Sequence, residues 1–156
     1  MVGVTTRRQI ADVRVRFRAT SHAAFDYLSD PRNRPHWQSS LRAIDELCEP
    51  GDRRGDVGTS WIDRTVVPGV SPRLEVVDCQ PGVRWSEVGG WNVVDALLTL
   101  SFTDVDGDTE VRAQAYLTVP SVVGPAVLAL RLLTPGALRH DLRRAAALLA
   151  ADAPSA

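Results

Sequence analysis

The sequence predicts an α+β fold: a seven-stranded antiparallel sheet, two short helices between strands 1 and 2, and a long C-terminal helix. Three observations carry this. An early segment alternates apolar and charged residues without exception. Six further extended segments, punctuated by turn residues, fill the middle of the chain. The last third changes to helical spacing. With 156 residues, the chain suits one domain, 1–156, large enough to bury most of its apolar surface around one core.

The first strand is read from Asp12 to Arg18, where Val13, Val15 and Phe17 face one way and Arg14, Arg16 and Arg18 the other. Thr20 or Ser21 then caps a short helix over Ala23 to Leu28. A second helix starts at Asp30-Pro31, with a carboxylate at the N-cap and proline in the first turn. The remaining strands are Leu41–Cys48, Val57–Val67, Arg73–Cys79, Val83–Val88, Val93–Phe102 and Glu110–Val119, joined mostly by short loops as antiparallel meanders require. Val122 to Leu133 is almost wholly apolar, and Leu138, Leu142, Ala145 and Leu149 form one helical stripe. A C-terminal helix follows, with a break or kink expected at Thr134-Pro135-Gly136.

Composition removes several function classes. The 18 basic and 19 acidic residues give a net charge of -1, so no broad positive field is available and no nucleic-acid partner is expected. All the basic residues are arginine, which excludes Schiff-base chemistry on a lysine. The N-terminal segment shows no apolar signal region, giving the expectation of a cytoplasmic protein. The apolar run Val122 to Leu133 is too short to span a bilayer, so no stable membrane insertion is expected. Cys48 and Cys79 fall on strands read as non-neighbouring, and both are expected to be free thiols.

No metal and no cofactor are expected. Asp104, Asp106, Asp108 and Glu110 are spaced like part of a calcium loop but lack its glycine and its final acid, and a hairpin turn at Asp106-Gly107 accounts for them. His22, His36 and His140 have no zinc-site spacing. There is no G-x-S-x-G and no glycine-rich phosphate loop.

Several segments, in order, resemble the START-like (SRPBCC) superfamily, polyketide cyclase/dehydrase branch. They are S-D-P-R-N-R-P-H-W at Ser29 to Trp37, G-D-V-G-T-S-W at Gly55 to Trp61, V-V-D-C-Q-P-G-V-R-W at Val76 to Trp85, G-D-T-E-V at Gly107 to Val111 and D-L-R-R at Asp141 to Arg144. The resemblance implies a helix-grip fold: a curved sheet wrapped around the C-terminal helix, with an apolar cavity between them. Aromatase/cyclases of this group usually follow the tryptophan after the small helices with a pocket tyrosine, and they carry an arginine on the inner face of the third strand. Here Gln38-Ser39-Ser40-Leu41 follows Trp37, and Arg64 lies one register off the face of Trp61 and Asp63.

Alternation assigns the side chains that such a cavity would meet. Ala96, Leu98, Leu100 and Phe102 share one strand face, and Ala113 and Ala115 share another, with the alanines leaving room. Leu128, Leu138 and Leu142 would face them from the helix, either bordering the cavity or filling it completely. Trp37, Trp61 and Trp85 would complete the lining. If the tryptophans point inward, so do Asp63 and Glu87. These two carboxylates are the candidate general acid or base; the alternative places them near strand ends, solvated or paired with arginines such as Arg64, Arg73 or Arg84.

Three functional classes remain open. A binding module would hold a small hydrophobic ligand of lipid, polyketide or isoprenoid type, oriented by Asp63 and Glu87 and by Asp26 or Tyr27 at the mouth. A polyketide cyclase, aromatase or dehydratase would act in the same cavity. A protein-binding domain would use the helix-sheet rim and need no ligand. A monomer or homodimer fits each of them.

Overall fold

The computed structural model describes residues 5–120 and 124–153, and for residues 124–133 the backbone alone. Seven strands form one antiparallel sheet in the order β1-β7-β6-β5-β4-β3-β2. They are β1 (Thr5–Phe17), β2 (Leu41–Cys48), β3 (Ser60–Thr65), β4 (Arg73–Gln80), β5 (Arg84–Trp91), β6 (Val94–Val105) and β7 (Asp108–Pro120). Helices α1 (Ser21–Ser29) and α2 (Arg34–Trp37) carry the chain from one sheet edge, β1, to the other, β2. Helix α3 (Gly124–Asp152) packs against β1 and both short helices, giving the helix-grip arrangement.

Local chemistry sets the element ends. Thr20 Oγ1 accepts the Ala23 N–H at 3.2 Å and caps α1. Asp30 Oδ1 accepts the Arg32 N–H at 3.0 Å, but the turn it opens, Pro31–Asn33, is a 3-10 turn that becomes α-helical only at Arg34. β3 is shorter than the expected Val57–Val67, because Gly58 (φ 90) and Gly69 (φ 78) bend the chain on either side. Asp106 (φ 51) and Gly107 (φ 86) form the expected hairpin turn between Val105 and Asp108. α3 continues through Pro135 instead of breaking there; the ring removes one N–H from the helical ladder without ending it.

The G-D-V-G-T-S-W segment has a packing explanation. Gly55 (φ 70) lies so close to α1 that a Cβ would stand 2.0 Å from the Ser29 carbonyl oxygen. Its own carbonyl accepts the Trp85 indole N–H at 2.9 Å, which fixes that side chain in the core. The D-L-R-R segment has one too. Asp141 is buried, and its Oδ1 accepts hydrogen bonds from Ser39 N (3.1 Å) and Ser39 Oγ (2.8 Å), tying α3 to the chain that leaves α2. Asp141→Ala is expected to cost about 2 kcal/mol, since it removes two hydrogen bonds to a charged acceptor. Urea unfolding of the variant checks this.

Both cysteines are free, as expected, on β2 and β4, which β3 separates. Among the described residues no helix is long and apolar enough to cross a membrane.

Candidate functional site

Among the described residues, the inner face of the sheet has one half packed by aromatic and aliphatic side chains and another that contains a hollow. At one end Val15, Val111 and Phe102 align across β1, β7 and β6, and the next row is Val13, Ala113, Leu100 and Trp85. All of these are buried. Phe25 of α1 lies 5.3 Å from the Phe102 ring, and Leu28, Trp37, Leu142 and Ala145 close the cluster from the helices. The third row is Ala11, Ala115, Leu98, Glu87 and Val76. The fourth is Leu117, Ala96, Gly89 and Leu74. Here the side chains become small, and Gly89 and Ala96 leave a space that Leu74 only partly covers.

That space is a cavity of about 200 Å³, lined by Ile10, Pro72, Leu74, Glu87, Gly89, Trp91, Val94, Ala96, Leu98 and Ala115 among others. It opens at the β5–β6 hairpin, where Ala96 and Trp91 are exposed. A larger groove of about 510 Å³ runs beside it, along the outward row Arg73, Gly90, Asp95, Thr118 and Arg7. Its lining mixes charges of both signs, whereas the smaller cavity is almost wholly apolar. The smaller cavity is therefore the better candidate for an apolar ligand.

A buried ion cluster meets the cavity through Glu87, its one member in the lining. Arg34, 2 % exposed, reaches from α2 under the sheet. Its Nη1 donates to Glu87 Oε2 at 2.7 Å and its Nη2 to Asp63 Oδ2 at 3.4 Å. The Trp61 indole N–H donates to Asp63 Oδ1 at 2.9 Å. The guanidinium also lies 5.1 Å from the centre of the Trp61 ring, which stacks on Trp85 at 6.5 Å and 13°. Arg34 Nε, also buried, has no partner among the described residues.

Burial works against the charge on Arg34, but Glu87 and Asp63 outweigh it and hold the guanidinium protonated. For Glu87, burial pushes the carboxyl above its ordinary value of 4.5 and Asp63 adds to the shift, while Arg34 opposes both. A carboxyl with a raised folded-state pKa contributes most stability below 4.5 and loses it as pH rises through the folded value. Glu87→Gln is therefore expected to gain on the native chain as pH rises from 4.5 through the folded value. Thermal midpoints of both proteins across that range check the sign.

The sequence-predicted residues separate into three groups. Glu87, Ala96, Leu98 and Ala115 border the cavity. Trp37, Trp61, Trp85, Leu100, Phe102, Ala113 and Leu142 belong to the packed core, with Leu138 against it, and Asp63 sits beside Trp61 in the ion cluster. The side chain of Leu128 lies outside the described residues. Asp26 and Tyr27 border a separate surface recess with Arg53 and Arg54, away from this cavity.

The arginine expectation is corrected. Arg64 pairs with Asp45, Arg73 with Glu46 at 3.5 Å and Arg84 with Asp78 at 2.5 Å, so none of the three reaches Asp63 or Glu87. Neither carboxylate is solvated, and both meet Arg34. Strand alternation points Arg64, Arg73 and Arg84 outward, so only a residue from another element could supply the cation. Sequence reasoning also misses Gly89, Leu74, Ile10, Val94 and Trp91 as lining. The Gly89-Gly90 pair inside a strand is the signal that could have drawn attention to the space.

The family model described as polyketide cyclase / dehydrase and lipid transport matches residues 8–153. No curated protein matches the sequence. Among solved structures, the di-domain ARO/CYC StfQ from the steffimycin biosynthetic pathway is similar at 15% identity and a TM-score of 0.75, covering 95% of this chain and 52% of its own. The protein TTHA0849 from Thermus thermophilus is similar at 14% identity and 0.73, covering 96% and 100%. Norcoclaurine synthase from Thalictrum flavum, in complex with dopamine and hydroxybenzaldehyde, is similar at 15% identity and 0.69, covering 98% and 91%. At these identities the likeness is one of fold.

Proposed function

Because the chain belongs to the polyketide cyclase / dehydrase and lipid transport family, we propose that it binds a small hydrophobic molecule in the cavity beside Glu87. The observation that carries this is the change of side-chain size along the inner face. Tryptophan and phenylalanine fill the half under the short helices, while among the described residues Gly89, Ala96 and Ala115 leave a hollow in the other half. A folded interior closes such space by default, so a hollow walled by apolar side chains and one carboxyl favours a ligand. The test is uptake of N-phenyl-1-naphthylamine by the intact chain, with native mass spectrometry after gentle purification. Saturable 1:1 uptake is expected; absence of both uptake and any co-purifying mass would remove the reading.

A second reading, cyclisation or dehydration of a polyketide in the same cavity, is favoured by the raised proton affinity of Glu87. A carboxyl whose proton is held more tightly than usual can give or take one at a carbonyl-activated carbon. Turnover of a poly-β-ketone model substrate that is unchanged in both Glu87→Gln and Asp63→Asn would exclude this carboxyl mechanism.

A further inference from the structure

We propose that the cavity is built for an uncharged ligand of one or two rings bearing a carbonyl oxygen, which accepts a hydrogen bond from the Glu87 carboxyl at Oε1. This rests on the reading of the cavity as a binding site and adds the size and chemistry of its occupant.

Size comes from the volume. An apolar cavity of about 150 Å³ takes benzene, and drug-sized ligands occupy roughly 300–1,000 Å³. At about 200 Å³, this cavity lies just above the first. It accommodates one ring or two fused rings and is too small for a sterol or a tetracyclic polyketide.

The polar requirement comes from the ion cluster. Asp63 accepts a hydrogen bond on each oxygen, from Trp61 and from Arg34. Glu87 accepts one, on Oε2, and its Oε1 has no hydrogen-bond partner among the described residues. Arg34 balances one negative charge, and a second ionised carboxylate in this buried cluster would be uncompensated. A proton is therefore retained, and Glu87 Oε1 is the carboxyl oxygen that no donor among the described residues occupies. An O–H beside an apolar hollow selects an acceptor, and a ring carbonyl or aryl ketone supplies one without bringing charge.

The experiment titrates the intact chain with 2-acetylnaphthalene, its near-isosteric hydrocarbon 2-ethylnaphthalene, 2-naphthol and 2-acetylanthracene. The two-ring ketone is expected to bind about tenfold tighter than the hydrocarbon, the worth of one well-made hydrogen bond. The three-ring ketone is expected to show no saturable binding. Glu87→Gln keeps the preference for ketone, because an amide N–H can replace the carboxyl donor. Glu87→Met erases it while leaving Arg34 and Asp63 as a balanced pair, and thermal unfolding shows whether that variant is folded.

Equal affinity for ketone and hydrocarbon, a preference that survives Glu87→Met, or 2-naphthol outcompeting the ketone would overturn the assignment of the donor. Tight uptake of 2-acetylanthracene would overturn the size limit. Failure of every probe, together with N-phenyl-1-naphthylamine, would instead overturn the binding reading itself.

Discussion

Arg34→Met is expected to cost about 3–5 kcal/mol of folding stability at neutral pH, because it leaves the one negative charge carried by the buried Asp63–Glu87 pair without its cation. Methionine fills much of the same volume, so the loss reports charge more than packing. The effect has a sign in pH: protonating the pair removes the burial cost of its unpaired charge, so the variant should recover towards the native chain as pH falls to about 4. A triple variant, Arg34→Met with Asp63→Asn and Glu87→Gln, should regain most of the loss at neutral pH, since no buried charge is left unpaired. Urea unfolding at about pH 4 and about pH 7 checks all three statements. A loss that does not depend on pH would mean that Arg34 acts by packing alone.

Ala96→Phe is expected to abolish probe uptake, weakening it by about two orders of magnitude, with little change in stability. Ala96 stands between Gly89 and Leu117 on the inner face, and its exposure leaves room for a ring without displacing core side chains. The control is Thr118→Trp, which fills the neighbouring outward groove and should leave uptake unchanged. Fluorescence titration with N-phenyl-1-naphthylamine distinguishes the two hollows. Ala96 borders both hollows and Thr118 only the outer one, so uptake lost with Thr118→Trp would move the site to the outer groove.

Much of the candidate site was legible along the chain because strands report their faces. The alternation Trp61, Asp63 and Trp85, Glu87 places each carboxylate on the same side as a core tryptophan, and both are buried as that pattern implies. The small residues Ala96 and Ala115 likewise marked where the wall thins. Ala113, on the same face as Ala115, lies instead in the packed row of Trp85 and Leu100. Side-chain size on one strand does not reveal what the opposite element inserts against it.

The amino-acid sequence by itself determined the order of elements, the inward faces of the strands, the Asp106-Gly107 hairpin and a helix cap at Thr20 or Ser21, of which the structure uses Thr20. Each depends on residues a few positions apart, where periodicity and backbone preference act directly. Only the tertiary structure decided that Arg34 is the partner of Asp63 and Glu87, 29 and 53 residues away, and that the tryptophans pack solid while the hollow lies beside Gly89. An arginine on a four-residue helix has no periodic signature that says it turns inward. Its direction is set by where α2 crosses the sheet and by the two carboxylates that offset the cost of burying it there.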